Sequence, residues 1–448
     1  MALLLSVGAM LVLSCRKDEP GDTQGIRIFT HPTTGYEGAW AHQWMDLCYQ
    51  MIRNNNLEGP DAARVFGYAG LCTWESVCRG IPYAQSLEGQ VLEYPKAPAV
   101  DLYKEYDWVI VLATAMKTLL PELLENLTPA QLGQIESLAQ QQENQRMQTG
   151  LSQYVLLDSR SLGERIGERL LERANADGRA AIRDITPVLP ERDAEHRWYW
   201  APTQPGQQPV EPVWSAVLPF VLSNYQSCES DGPLPYSESP SSAFYAEALE
   251  VYNVAPTPAN IVMAYHWEDG PGRTATAAGH WINIAEQILK TQERNLADCA
   301  KTYCLLGLAA ADTYGCCWAM KYKYYLLRPA TYINDVIAPG WKPILFTPAH
   351  PDHASVSAAM GSAASTILIS QLGDVAFSDK THLGSPLYTP SGGPFLLSER
   401  AFGSISAAGE EAAESRVVAG VHFRQAKNQG QSMGNCVGEK VLAVKMGY

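Results

Sequence analysis

Residues 321–329, KYKYYLLRP, hold Lys321 and Arg328 seven positions apart and close on Pro329. Seven residues are two turns of α-helix, so the spacing predicts both cationic heads on one helix face, with Pro329 ending the helix. A second group, SRVVAGVH at 415–422, sets Arg416 and His422 six apart, facing roughly the same way. Between the groups lies HPDHASVS at 350–357, at the predicted head of a helix rich in small residues. Free backbone N–H groups there, with the Ser355 hydroxyl, make a natural seat for an anion. Arginine forks match tetrahedral oxyanions, and a lysine adds a point charge. Taken singly, Lys321 is a solvated helix end and each arginine an ion-pair partner. Taken jointly, Lys321, Arg328, Arg416 and His422 predict a cradle for a small phosphate-like oxyanion.

The rest of the chain frames that cradle. Its 448 residues carry 33 Lys+Arg against 47 Asp+Glu, a net charge of −14, with 46% hydrophobic and 18% charged residues. So hydrophobic a chain is not disordered, and so acidic a chain lacks the basic footprint of a general nucleic-acid binder. A local anion pocket is still compatible with it, because net charge is global and pockets are local. Apolar positions recur at helical spacing over 36–55, 60–79, 101–124, 128–148 and 160–175. They do so again over 241–254, 257–267, 277–294, 298–327, 354–371, 398–413, 412–424 and 428–444. No run alternates as a strand does. The expected fold is all-α: a helical half at 26–235 and a helical bundle at 236–448, joined by an irregular Pro/Trp-rich belt around 176–240.

The N-terminus predicts export. Ala2–Leu13 is an apolar run too short to span a bilayer, and Val12-Leu13-Ser14-Cys15 has the form of a lipobox. Residues 1–15 are then a lipoprotein signal peptide with Cys15 as the lipidation site, and 16–25 a polar tether. The expectation is a bacterial lipoprotein in the periplasm or at the outer-membrane or cell surface, meeting the membrane only through its lipid anchor. Nine further cysteines, an odd number, leave at least one free thiol in an oxidising compartment. No CxxC pair is present, which argues against a cysteine-built zinc site.

The motif K-x6-R-P at 321–329, with S-R-x5-H at 415–422, resembles the superfamily of vanadium-dependent haloperoxidases and type 2 phosphatidic acid phosphatases. The segments 62–76, 199–214 and 266–281 are similar to its bacterial soluble haloperoxidase-like members. The resemblance implies a two-bundle helical fold with vanadate as cofactor, or phosphate in its place. It also implies roles: His422 as axial vanadate ligand or phosphate nucleophile, Lys321, Arg328 and Arg416 on the equatorial oxygens, and Ser355 as a hydrogen-bond donor. The middle motif departs from the family's P-S-G-H, with Val356 at the glycine and Ser357 at the acid–base histidine. His353, four before Ser357, is the candidate to stand in for that histidine, and His350 has less claim. Ala426 stands four after His422, where the family often has an acidic residue that orients the ligand histidine. The implied activity is peroxide-dependent halide oxidation, impaired at Ser357. The alternatives are phosphomonoester hydrolysis and a non-catalytic oxyanion-binding surface lipoprotein. Relatives are often dimers, which implies a homodimer.

Overall fold

The computed structural model describes residues 31–389 and 392–448. The expected signal peptide, its Cys15 and the tether lie outside them. The chain is almost entirely helical, with two helical-bundle regions. The first contains α1 (Ala39–Asn54), α2 (Gly59–Val77), α3 (Trp108–Leu123), α4 (Pro129–Met147), α5 (Gln153–Ala176) and the one-turn α6 (Arg179–Ile182). The second contains α7 (Ala243–Tyr252), α8 (Pro258–His266), α9 (Thr276–Thr291), α10 (Leu296–Tyr324), α11 (Pro329–Tyr332), α12 (Val356–Leu372), α13 (Ile405–Val418) and α14 (Arg424–Leu442). Polar caps start several helices: Asp107 before α3, Ser152 before α5, Asn295 before α10, and Thr128 before α4 in a capping box with Gln131. No helix among the described residues is long and apolar enough to cross a membrane.

The central helix is α10, buried along nearly its whole length, so it shows no amphipathic stripe. It crosses α2 at backbone contact. A Cβ at Gly70 would fall 2.4 Å from the Tyr303 carbonyl oxygen, and one at Gly307 would fall 2.3 Å from that of Phe66. The belt between α6 and α7 is irregular apart from two 3-10 turns, Trp214–Ala216 and Tyr225–Cys228. Asp312 of α10 anchors it by accepting the backbone N–H groups of Phe220, Val221 and Leu222 at 2.6, 2.8 and 3.0 Å.

Four short strands lie within this helical fold. Between α12 and α13, β1 (Phe377–Asp379) pairs antiparallel with β4 (Arg400–Phe402), and β2 (Pro386–Thr389) with β3 (Gly392–Leu396). The helix expected from 398 therefore begins at Ile405. These strands are three to five residues long, too short for alternation to stand out.

Candidate oxyanion site

Lys321 and Arg328 do converge, but not from one helix face. Helix α10 ends at Tyr324, Tyr325 turns left-handed (φ 52°), and Arg328 is the extended residue before α11. Pro329 opens that next helix rather than closing the first, a position proline favours. Arg416 lies in the last turn of α13, and Gly420 at φ 79° turns the chain so that His422 follows on a loop. Ser355 is the N-cap of α12, its hydroxyl accepting from the Ala358 N–H at 3.5 Å. Val356 and Ser357 are thus the first two residues of α12.

Both basic side chains of the first group are fully buried, and both hold the 350–354 loop. The Lys321 ammonium donates to the carbonyls of Pro351, Asp352 and Ala354 at 3.0, 3.1 and 2.6 Å. Burial first, and Arg328 next, push its pKa down to about 7. Arg328 donates through Nε to the His350 carbonyl (2.8 Å), through Nη1 to that of Val421 (2.6 Å), and through Nη2 to His350 Nδ1 (2.9 Å). Its Nη1 also lies 3.2 Å from His422 Nε2. On the other side of His422, Nδ1 is 3.0 Å from Asp352 Oδ1, a close polar contact without the alignment of a full hydrogen bond. The acidic neighbour missing at Ala426 is therefore supplied by Asp352, which sequence spacing had no means to connect with His422. Burial raises Asp352 to about 7 and, with Arg328 beside it, holds His422 well below the ordinary histidine value.

A cavity of about 380 Å³ opens beside this knot, with Arg416, Ser357, Val356, His350, Trp318 and Tyr314 on its wall. Arg416 donates through Nη1 to the Trp267 carbonyl (2.9 Å), while its buried Nε has no partner. Glu268 and Asp269 also line the cavity, but each is engaged, Glu268 with Arg273 at 2.8 Å and Asp269 with His280 at 2.8 Å. The orphaned Arg416 donor, on a wall shared with a serine and a histidine, fits an oxyanion such as vanadate or phosphate.

The two candidate histidines exchange places. His353 Nε2 bonds the Asp231 carbonyl at 2.9 Å, and its ring packs edge-on to Tyr324, so the structure does not bring it to the others. His350 sits on the cavity wall against Trp318. Arginine only donates, so His350 Nδ1 accepts from Arg328 and the proton of the neutral ring rides on Nε2. Beside the cavity, His266, His280, His382, Asp269 and Asp379 form a buried His/Asp cluster of the donor types that coordinate ions.

Comparison with known proteins follows this geometry. The signature of the second helical-bundle domain of VCPO matches residues 334–448. A bacterial vanadium-dependent iodoperoxidase is similar at 28% identity and a TM-score of 0.81, over 91% of this chain and 96% of that one. In structure the chain is strongly similar to the bacterial vanadium-dependent haloperoxidases. A bacterial vanadium-dependent chloroperoxidase shares the haloperoxidase fold in its holo form (16% identity, TM-score 0.64, 86% of this chain and 93% of that one). Its apo form does so as well (15% identity, TM-score 0.59, 86% and 95%). Comparison with curated protein sequences finds no match.

Proposed function

We propose that this haloperoxidase-like protein binds vanadate between His422, Arg328 and Arg416 and oxidises a halide with peroxide. The observation that carries the reading is the orphaned, buried Nε of Arg416 on the same cavity wall as Ser357 and His350. Likeness to the iodoperoxidase over nine-tenths of the chain supports it and favours iodide as the first halide to test. Bound vanadate supplies a Lewis-acidic centre that activates peroxide toward the halide. The protein's own part is positional and electrostatic. Asp352, 3.0 Å from Nδ1, favours the His422 proton there, and Arg328, which faces Nε2 at 3.2 Å, would yield that lone pair to the ligand. Arg328 and Arg416 offset negative oxygens, Lys321 ties down the loop that carries Asp352, and Ser355 holds the α12 N-terminus.

Ser357 is not a titrating acid in the neutral range, so the proton role falls elsewhere or is lost. We assign it to His350 rather than His353. Burial, Lys321 and Arg328 hold the His350 ring well below its ordinary value. An oxyanion offsets those charges and returns the ring toward the range where it exchanges protons. We also place the chain outside the cytoplasm. The disulfide between Cys228 and Cys436 supports that reading, and the lipid at Cys15 is part of the same proposal.

The test is to strip the protein of metal, titrate orthovanadate, and follow iodide oxidation by peroxide beside hydrolysis of a phosphomonoester. Vanadate-dependent oxidation that disappears in His422→Ala supports the reading. Hydrolysis without oxidation moves the function to the phosphatase side. Vanadate binding with neither activity above the His422→Ala control leaves an oxyanion-binding protein and removes the enzyme.

A further inference from the structure

A buried cluster of histidines and aspartates lies outside the oxyanion knot. His266 ends α8, His280 lies inside α9, and Asp379 ends β1, so three separate elements deliver three ligand-type side chains to one buried point. All three are at most 1% exposed. Asp379 Oδ2 is 2.7 Å from His280 Nε2 and 2.9 Å from His266 Nε2. The second contact is short, yet His266 Nε2 has no aligned hydrogen-bond partner. Side chains that bond each other point their atoms at each other, whereas ligands of a common ion point at the ion. The His266–Asp379 pair has the second geometry.

The surroundings are those of a supported metal site. The other Asp379 oxygen, Oδ1, is held by the Thr381 N–H (2.9 Å) and hydroxyl (2.6 Å), which aims Oδ2 at the imidazoles. The far nitrogen of His280, Nδ1, meets Asp269 Oδ1 at 2.8 Å, and the Thr274 hydroxyl donates to the same oxygen at 3.1 Å. A carboxylate behind a ligand histidine fixes its tautomer and raises its basicity. His382 stands against Asp269 at 3.5 Å, with neither ring nitrogen hydrogen-bonded.

We propose that His266, His280 and Asp379 bind a borderline divalent cation, zinc-like in its preference for imidazole and carboxylate, with Asp269 as the outer support of His280. Two carboxylates exclude an oxyanion from this point and favour a cation. His280 lies between the two carboxylates, Asp269 Oδ1 2.8 Å from Nδ1 and Asp379 Oδ2 2.7 Å from Nε2. The ion pins the 266–269 segment, whose Trp267 carbonyl holds Arg416 on the cavity wall. The proposal stands on these residues alone and does not depend on the oxyanion reading.

The experiment uses the full chain, stripped with a chelator and titrated with Zn²⁺ against a chromophoric competitor, with no vanadate present. One Zn²⁺ per chain is expected. Asp379→Asn and His266→Gln should abolish the binding, and Asp269→Asn should weaken it by roughly 10–100-fold. Zinc-edge absorption on the wild type should show imidazole ligands and no sulfur, a readout that holds even if a variant fails to fold. Wild-type protein that takes up no stoichiometric zinc overturns the proposal, as do variants that bind like wild type or a sulfur-containing shell.

Discussion

His422 sits between Arg328, 3.2 Å from its Nε2, and Asp352, 3.0 Å from its Nδ1, and these two neighbours set how the ring is presented. His422→Ala should abolish vanadate binding, measured by titration, because it removes the imidazole that Arg328 and Asp352 flank. His350→Ala tests a different role. It should leave vanadate affinity near wild type and lower halide turnover by about 10²–10⁴-fold, the usual worth of a positioned acid–base group. Equal turnover would return the proton role to solvent. Ser357→His with Val356→Gly should raise turnover, and if it does not while vanadate still binds, loss of the histidine is not what limits the site. A third histidine gives a pH signature far from this site. His42 is buried and accepts from the Tyr303 hydroxyl at 2.6 Å, and burial lowers its pKa to about 4. Between pH 4 and 6.5 the unfolded chain binds a proton there that the folded chain does not. Stability should therefore fall as pH drops from about 6.5 toward 4, and His42→Gln should flatten that slope in thermal melts. Spacing alone singled out Lys321, Arg328, Arg416 and His422, though it set Arg328 and His422 on helix faces where the structure has extended chain and loop. Which middle histidine faces the cavity was not, because His350 and His353 lie on a loop, and a loop has no period from which to read direction.

Helices were legible wherever one face was wet. The expected 428–444 segment is the body of α14, and the apolar pattern of 36–55 contains α1. The same logic misplaced Arg328 and His422, since a period says nothing about a helix stopping at Tyr324 or turning at Gly420. What seats α12 against α14 is the absence of side chains. Gly430, Gly434 and Gly438 recur every four residues on one face of α14. A Cβ at Gly430 would lie 2.4 Å from the Ser355 carbonyl oxygen, and one at Gly434 would lie 2.0 Å from that of Ala359. Neither oxygen can move without moving the α12 N-terminus. Gly434→Ala should therefore destabilise by about 1–3 kcal/mol, as overpacking does. It should also weaken vanadate binding, because the displaced element carries Ser355 and Ser357. A melt lowered without any change in affinity would show that the two elements give way independently of the site.

At the scale of the whole molecule, the −14 net charge leaves no general basic footprint, yet Arg416 lines one small cavity beside the buried Lys321 and Arg328. The cysteines show a similar selectivity. Their odd number left the pairing open in the sequence, and nothing in a separation of 208 residues points to Cys228 with Cys436. The fold makes that pair by laying the 3-10 turn at the end of the belt on α14, while Cys48, Cys72, Cys78, Cys299, Cys304, Cys316 and Cys317 stay buried as free thiols. Burial raises Cys48 to about 12 and pushes Cys72 and Cys78 well above the ordinary thiol value, which keeps them from reacting as thiolates. One cross-link thus ties the irregular belt to the last helix, where the belt has little secondary structure of its own to hold it. Closing so long a loop restricts the unfolded chain most, and Cys436→Ser should cost about 2–4 kcal/mol. Thermal melts with and without a thiol reductant separate this from packing. Wild type should lose stability on reduction and Cys436→Ser should not respond, because no other bridge is present among the described residues. Equal melting of oxidised and reduced wild type would mean that the belt is held by its backbone bonds to Asp312 and by its aromatic packing, and that the bridge records the compartment rather than supporting the fold.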